Sequence, residues 1–236
     1  MFSESADLYD IVYSEFKDYP AEAGQIATII RRENPAARRI LDVACGSGEH
    51  ARLLTAEHGF AVDGLDLDQA FVRIAAAKLP NARVYDADMT TFSIEERYDV
   101  ISCLFSSIGY VRTLENVTAT LERFRAHLAP GGVILVEPWF PPGVLQAGRI
   151  TLQTTEGPAI SVARMSQVTV DGRMSRIRFE YLIGRNGKIE HLVELHELGL
   201  FEAEELLACF AAAGLTATHD PIGLSGRGLY VARAAA

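Results

Sequence analysis

Cysteine is scarce in this 236-residue chain, and Cys45, Cys103 and Cys209 are odd in number and widely spaced. That excludes a disulfide framework and a CxxC metal motif. The six histidines form no ligand set. His191 and His196 are five positions apart, so within one strand they point to opposite faces, and His50 and His58 sit at the two ends of one short helix. No metal is expected. Basic residues are also few, 22 Lys+Arg against 31 Asp+Glu for a formal charge of −9, which argues against wrapping a nucleic-acid polymer. It leaves room for a small anionic ligand, because local charge can oppose the global sign. No apolar run approaches the roughly 18–20 residues of a membrane span, and Met1 to Asp10 is acidic without the pattern of a secretory leader. The expectation is a soluble cytoplasmic protein. With 49% hydrophobic and 22% charged residues, the chain can bury a sizeable core.

Asp18-Tyr19-Pro20 opens a helix with Ala23, Ile26, Ala27 and Ile30 on one face, and Pro35 stops it. Strands are then expected at Arg39–Ala44, Ala61–Asp66, Arg83–Ala87, Tyr98–Leu104 and Val133–Glu137. Helices at His50–His58, Gln69–Leu79 and Leu114–Leu128 separate them. This alternation predicts a doubly wound α/β parallel sheet. The runs DVISCLF and VILVE read as strands buried on both faces. After Pro138 the rhythm changes to period two, from Ile150 to Leu200, with Asp171-Gly172 and Asn186-Gly187 as hairpin turns. A last helix, Glu202–Ala213, precedes two short closing strands near Thr216–Asp220 and Gly228–Arg233. The organisation expected is an N-terminal lid with a cofactor-binding core (1–138), an antiparallel β insertion after the fifth strand (139–200), and closing elements of the core (201–236).

The first strand ends in Asp42-Val43-Ala44-Cys45-Gly46-Ser47-Gly48, where glycines admit a ligand to the backbone just before a helix N-terminus. Asp66 ends the second strand, twenty residues beyond Gly46, where a carboxylate can accept both hydroxyls of a ribose. The same glycines formally satisfy the dinucleotide pattern G-x-G-x-x-G/A, a weak match by itself, so an NAD(P)-dependent oxidoreductase is an alternative. Three features favour S-adenosylmethionine. Asp42 lies within the first strand, at the methionine end of that cofactor. Asp88, in Asp86-Ala87-Asp88-Met89, can accept from an adenine amine. The chain also closes with a hairpin after its last helix. Asp68, just before a helix, reads as a cap.

In DVACGSG, GLDLD and DADM, in that order and spacing, the chain resembles class I S-adenosylmethionine-dependent methyltransferases, a Rossmann-like fold with a seven-stranded sheet. A narrower resemblance rests on LYD (8–10), KDY (17–19), FSSIG (105–109), HLAPGG (127–132), EPW (137–139) and SGRG (225–228). These look like the N,N-dimethyltransferases of dTDP-linked amino-dideoxysugars, of the desosamine and mycaminose pathways. The resemblance implies cofactor contacts at Tyr19, Asp42, Ala44, Cys45, Gly46, Gly48, Asp66, Leu67, Asp88, Met89, Leu104 and Phe105. It implies acceptor contacts at Tyr9, Ser106, Ser107, Glu137, Trp139 and Arg227, with Arg227 approaching the sugar nucleotide's phosphates. Tyr13 and Tyr110 are the catalytic candidates, as residues that position the acceptor.

Several roles stay open at this level. Either tyrosine can simply pack its ring in the core, and Glu137 can be a site wall or a loop anchor. Arg149 to Lys188 holds seven basic and three acidic residues, either to attract an anionic acceptor or to solvate a sheet face. The solvation reading is preferred. Another small-molecule N- or O-methyltransferase and a non-catalytic cofactor-binding protein are the remaining alternatives, and a homodimer is expected.

Overall fold

The structure, a computed structural model, describes residues 5–235. After a 3-10 turn at Ala6–Leu8 the chain forms α1 (Tyr9–Ser14) and α2 (Tyr19–Glu33). Asp18 caps α2 by accepting from the Ala21 amide, and Pro20 occupies its first turn. There follow β1 (Arg39–Val43), α3 (Glu49–Ala56), β2 (Ala61–Asp66), α4 (Gln69–Lys78), β3 (Val84–Asp86), β4 (Tyr98–Cys103), α5 (Leu114–His127) and β5 (Leu128–Val136). Four long strands come next: β6 (Ile150–Gly157), β7 (Ile160–Asp171), β8 (Met174–Arg185) and β9 (Lys188–Gly199). The core is completed by α6 (Ala203–Ala212), β10 (Leu215–Asp220) and β11 (Leu229–Ala234).

The core sheet has seven strands in the order β10-β11-β5-β4-β1-β2-β3. β1 to β5 are parallel, and β11 runs antiparallel to both β5 and β10. Strand order reverses at β1, which lies between β4 and β2, and the crevice beyond their carboxyl ends is where such sheets bind ligands. Ile40, Leu41 and Val43 of β1 and Val100, Ile101 and Cys103 of β4 are buried, as strands covered on both faces require.

The other sheet, β6-β7-β8-β9, is wholly antiparallel. Gly172 at the β7–β8 turn, and Asn186 with Gly187 at the β8–β9 turn, have positive φ, the chemistry of two-residue hairpins. Ile177, Phe179, Tyr181 and Ile183 face inward from β8, while Arg176, Arg178 and Leu182 face outward.

Two features depart from the sequence expectation. β5 begins at Leu128 rather than Val133, directly after α5, because Leu128 pairs with Tyr98. The short α1, for which no periodic signal was evident, is docked by Leu8, Val12 and Tyr13, all buried in the core.

Candidate active site

The backbone marks the site before any side chain does. Ala44, at the end of β1, and Phe105 and Ser106, beyond the end of β4, all have positive φ without being glycine. Such conformations persist only where the surroundings over-determine them, and they cluster at functional sites. The restraint comes from the chain after β5. Glu137 accepts from the Phe105 amide at 2.7 Å, and the Ser106 hydroxyl donates to the Pro138 carbonyl at 2.8 Å.

These strand ends open into a cavity of about 500 Å³. Its walls bring together Tyr9, Tyr13, Ala44, Gly46, Asp66, Leu67, Asp88, Met89, Phe105, Ser106, Ser107, Tyr110, Trp139 and Arg227, which the sequence left scattered over the whole chain. A smaller recess of about 40 Å³ adjoins it and is lined by Tyr19, Asp42, Cys45 and Leu104. Two expected contacts reach neither cavity. Gly48 is the left-handed N-cap of α3, where a Cβ would stand 3.1 Å from that of Ala75, so it serves the close approach of α3 to α4. Glu137 is 1% exposed and bonds the site's frame from behind. Its Oε2 accepts from Phe105 N, and its Oε1 accepts from the Ser225 hydroxyl and from Arg227 Nη2, the latter at 3.2 Å. It anchors the loop and holds the arginine.

The acidic residues fit the cofactor implied by the motifs. Asp66 Oδ2 accepts from the Gly46 amide at 2.8 Å and Oδ1 from the Asp68 amide at 2.9 Å. A carboxylate has about four acceptor sites, so each oxygen can still take one donor, as two vicinal ribose hydroxyls require. Asp88 Oδ1 takes both the amide and the hydroxyl of Thr90, which leaves Oδ2 for an exocyclic amine. Gly46 presents its α-carbon to open space, with nothing within 4 Å of a built Cβ. Asp68 caps α4 by accepting from Ala70 N at 2.8 Å, as its position implies.

Asp42 is buried and accepts from the Ser102 hydroxyl at 2.8 Å. Burial pushes its carboxyl above the ordinary range, against the pull of His50 and Ser102. The same carboxyl ionises at its usual value in the unfolded chain, so the native state binds more protons between the two values. Stability therefore falls as pH rises from the usual carboxylate range through the raised native one. Asp42→Asn is expected to remove that loss. Its melting temperature should gain on the wild type as pH rises above the usual carboxylate range, by about 2–4 °C per kcal/mol. A difference that is flat over that rise in thermal melts refutes the assignment.

Several further residues surround these cavities, of which Lys17 belonged to a motif singled out in the sequence. Lys17, from the turn before α2, forms an ion pair with Glu22, which also bonds His50 Nε2 at 2.9 Å. Burial works against the charge on Glu22, but hydrogen bonds from His50 and Lys17 prevail and hold its carboxyl below the ordinary value. Lys17 and Glu22 are five residues apart, and His50, 28 residues beyond Glu22, joins them because α2 packs on α3. Phe71, Ile177, Phe179 and Leu198 complete the large cavity. Arg164 is buried against the rings of Tyr13 (5.0 Å) and Phe179 (4.7 Å) and braces Tyr13 from behind. Four other arginines of the insertion are at least partly exposed and ion-paired, Arg173 with Glu205, Arg176 with Asp171 and Glu197, Arg178 with Glu180, and Arg185 with Asp7 and Glu190. They solvate the sheet. Burial pushes the thiols of Cys45 and Cys103 up, as packed residues rather than nucleophiles. Among the described residues no cluster of His, Cys, Asp or Glu is arranged to hold a metal, and no helix is long and apolar enough to cross a membrane.

The fold and the acidic crevice define a methyltransferase of the Rossmann-like class, and residues 40–132 match the family model described as a methyltransferase domain. The chain is 40% identical to the dTDP-3-amino-3,6-dideoxy-α-D-glucopyranose N,N-dimethyltransferase of Streptomyces fradiae, over 96% of this chain and 89% of that one. Its structure superposes on the crystal structure of Streptomyces venezuelae DesVI with a TM-score of 0.92 and 36% identity, covering 98% and 99% of the two chains. It superposes on S-adenosylmethionine-bound CalS10, an amino pentose methyltransferase from Micromonospora echinaspora, with a TM-score of 0.86 and 35% identity over 95% of each chain. The chain belongs to the family of sugar N-methyltransferases that includes the dTDP-amino-sugar N,N-dimethyltransferases. The oxidoreductase alternative is thereby set aside.

Proposed function

We propose that this protein is an S-adenosylmethionine-dependent N-methyltransferase that dimethylates the amine of a dTDP-linked amino-deoxysugar. The observation that carries the reading is a single cavity walled at different points by the Asp66 and Asp88 carboxylates and by the Arg227 guanidinium. Ribose and adenine suit the first two and a diphosphate suits the third. When bound, S-adenosylmethionine supplies a methyl group already activated on a sulfonium, so the protein's work is placement and proton handling. Asp66, Asp88 and Gly46 bind the nucleoside end. Asp42, with the Lys17–Glu22–His50 cluster behind it, forms the polar recess for the methionine end. Tyr9 and Tyr13 on α1 pack with tilted rings 4.4 Å apart between centroids, and Tyr13 meets Phe105 edge-on at 5.4 Å. This aromatic lid excludes water from the reacting centre. An amine attacks only as the free base, and among the hydroxyl-bearing residues that line the cavity Tyr110 and Tyr13 are assigned to orient it.

Arg227 lies with its guanidinium 4.9 Å above the Phe105 ring, one Nη spent on Glu137 and its Nε without a protein partner among the described residues. Arg227→Ala should raise the KM for dTDP-3-amino-3,6-dideoxyglucose about tenfold to a hundredfold, the loss of one or two charge-assisted bonds, while sparing cofactor affinity. Unchanged acceptor kinetics would remove Arg227 from the site, and absence of dimethylated product from every dTDP-amino sugar tried would remove the acceptor class. The insertion, 139–200, serves in this reading as the acceptor's cover and as the contact of a homodimer. Leu152, Met165, Leu182 and Leu195, exposed on its outer face, support the second role.

A further inference from the structure

We propose that Tyr110 and His196 form a proton-transfer pair for the acceptor's amine, Tyr110 touching the substrate and His196 acting through it as a positioning residue. The proposal rests on the amino-sugar reading above. Tyr110 lines the large cavity from the 3-10 turn Ser107–Val111, and its hydroxyl lies 2.8 Å from His196 Nδ1. His196 comes from the inner face of β9, its side chain 0% exposed, edge-on to the Phe179 ring at 5.1 Å. On the far side, His196 Nε2 stands 3.7 Å from Glu194 Oε2. Glu194 is itself fixed by the Ser5 amide at 3.0 Å and the Ser5 hydroxyl at 2.7 Å.

This arrangement sets a direction. The Glu194 carboxylate favours the tautomer with its proton on Nε2, which makes Nδ1 an acceptor. Tyr110 then donates backward to His196, and its oxygen lone pairs are turned to the cavity, where an amine N–H needs an acceptor. Among the described residues, the charged and titratable groups that bear on the pair are Glu194 on β9, Arg164 on β7, Tyr181 on β8, Tyr13 on α1 and Asp66 at the end of β2. Burial raises the Tyr110 phenol and lowers the His196 imidazole, although Glu194 resists the latter. The resting pair is therefore a neutral phenol beside a neutral imidazole.

The step balances without any added reagent. The bound ammonium gives one proton to the Tyr110 oxygen as the hydroxyl's own proton passes to His196 Nδ1. The nitrogen keeps the electron pair of the broken N–H bond, and the imidazolium charge is offset by Glu194. Between the two methyl transfers the proton passes from His196 back through Tyr110 to water in the cavity, so the pair is neutral again before the second. A nitrogen that has gained its first methyl is an ammonium again, so dimethylation requires the discharged relay to act a second time.

The test uses the full-length protein with dTDP-3-amino-3,6-dideoxyglucose as probe. Tyr110→Phe should lower kcat about 10²-fold near neutral pH, with KM within a few-fold. The deficit should shrink as pH rises past the amine's own pKa, and monomethylated product should accumulate. His196→Asn should behave alike, with the double variant no worse than either single one. Independently of turnover, NMR of ¹⁵N-histidine-labelled protein should show the His196 ring neutral, with its proton on Nε2 and Nδ1 accepting a hydrogen bond. Tyr110→Phe should abolish the hydrogen-bond shift of Nδ1 and leave the ring neutral. A wild-type pH profile and product ratio in Tyr110→Phe, or a wild-type ring that carries its proton on Nδ1, overturns the pair even if wild-type turnover stands. If the wild type methylates no dTDP-amino sugar, the acceptor reading itself fails. Should His196→Asn not fold, Tyr110→Phe and the spectra decide.

Discussion

Glu137→Ala is expected to destabilise the protein by about 3–5 kcal/mol, because it removes one partner of a buried ion pair and strands the other. Glu137 is 1% exposed and accepts from Phe105 N, the Ser225 hydroxyl and Arg227 Nη2. Losing it leaves the Arg227 guanidinium, 12% exposed at its side chain, without its counter-charge. It also frees the left-handed Phe105–Ser106 turn from the bond that restrains it. Urea unfolding should register the loss, and the melting temperature should fall by about 6–20 °C. Glu137→Gln keeps an acceptor for Phe105 and should cost about 1–2 kcal/mol. The double variant Glu137→Ala/Arg227→Ala should regain part of the loss, since it removes the stranded charge with its partner. A stability of Glu137→Ala within about 1 kcal/mol of wild type would contradict the role assigned here.

The second large effect is on ligand affinity. Asp66→Ala should weaken binding of S-adenosylhomocysteine by about 1–3 kcal/mol, a factor of about 5 to 150 in Kd. The carboxylate already organises the turn through Gly46 N and Asp68 N, so the variant loses both the ribose acceptor and part of the loop's preorganisation. Asp66→Asn retains one carbonyl oxygen and should fall between. Titration calorimetry measures all three, and wild-type affinity in Asp66→Ala would refute the ribose assignment.

Where the physics is local, the sequence was legible. DVISCLF and VILVE became β4 and β5 because a strand buried on both faces must be apolar throughout. Asn186-Gly187 became a hairpin turn because both residues tolerate positive φ. Asp18 and Asp68 cap the helices that follow them. The turn from Asp42 to Gly48 could be read because backbone approach to a ligand needs small residues in sequence. α1 was missed because six residues are too few to show a period, and what fixes it is docking of Tyr13 and Val12.

His196 shows the other limit. On β9 the alternation is inverted, with Leu195 61% exposed and both Glu194 and His196 buried. A hydrophobicity pattern therefore places the imidazole outside. Its partner is 86 residues away on a turn beyond β4, and no spacing rule relates them.

The sequence alone determined the doubly wound sheet, its insertion, and the three acids at its strand ends, because hydrophobic period, caps and turn chemistry act over a few residues. Only the tertiary structure decided that Glu137 anchors Arg227 instead of facing the cavity, and that Lys17, Glu22 and His50 converge. It alone put an imidazole behind Tyr110. Those roles depend on which side chains a low-dielectric interior brings within hydrogen-bond reach, and that is set by the packing of elements far apart in the chain.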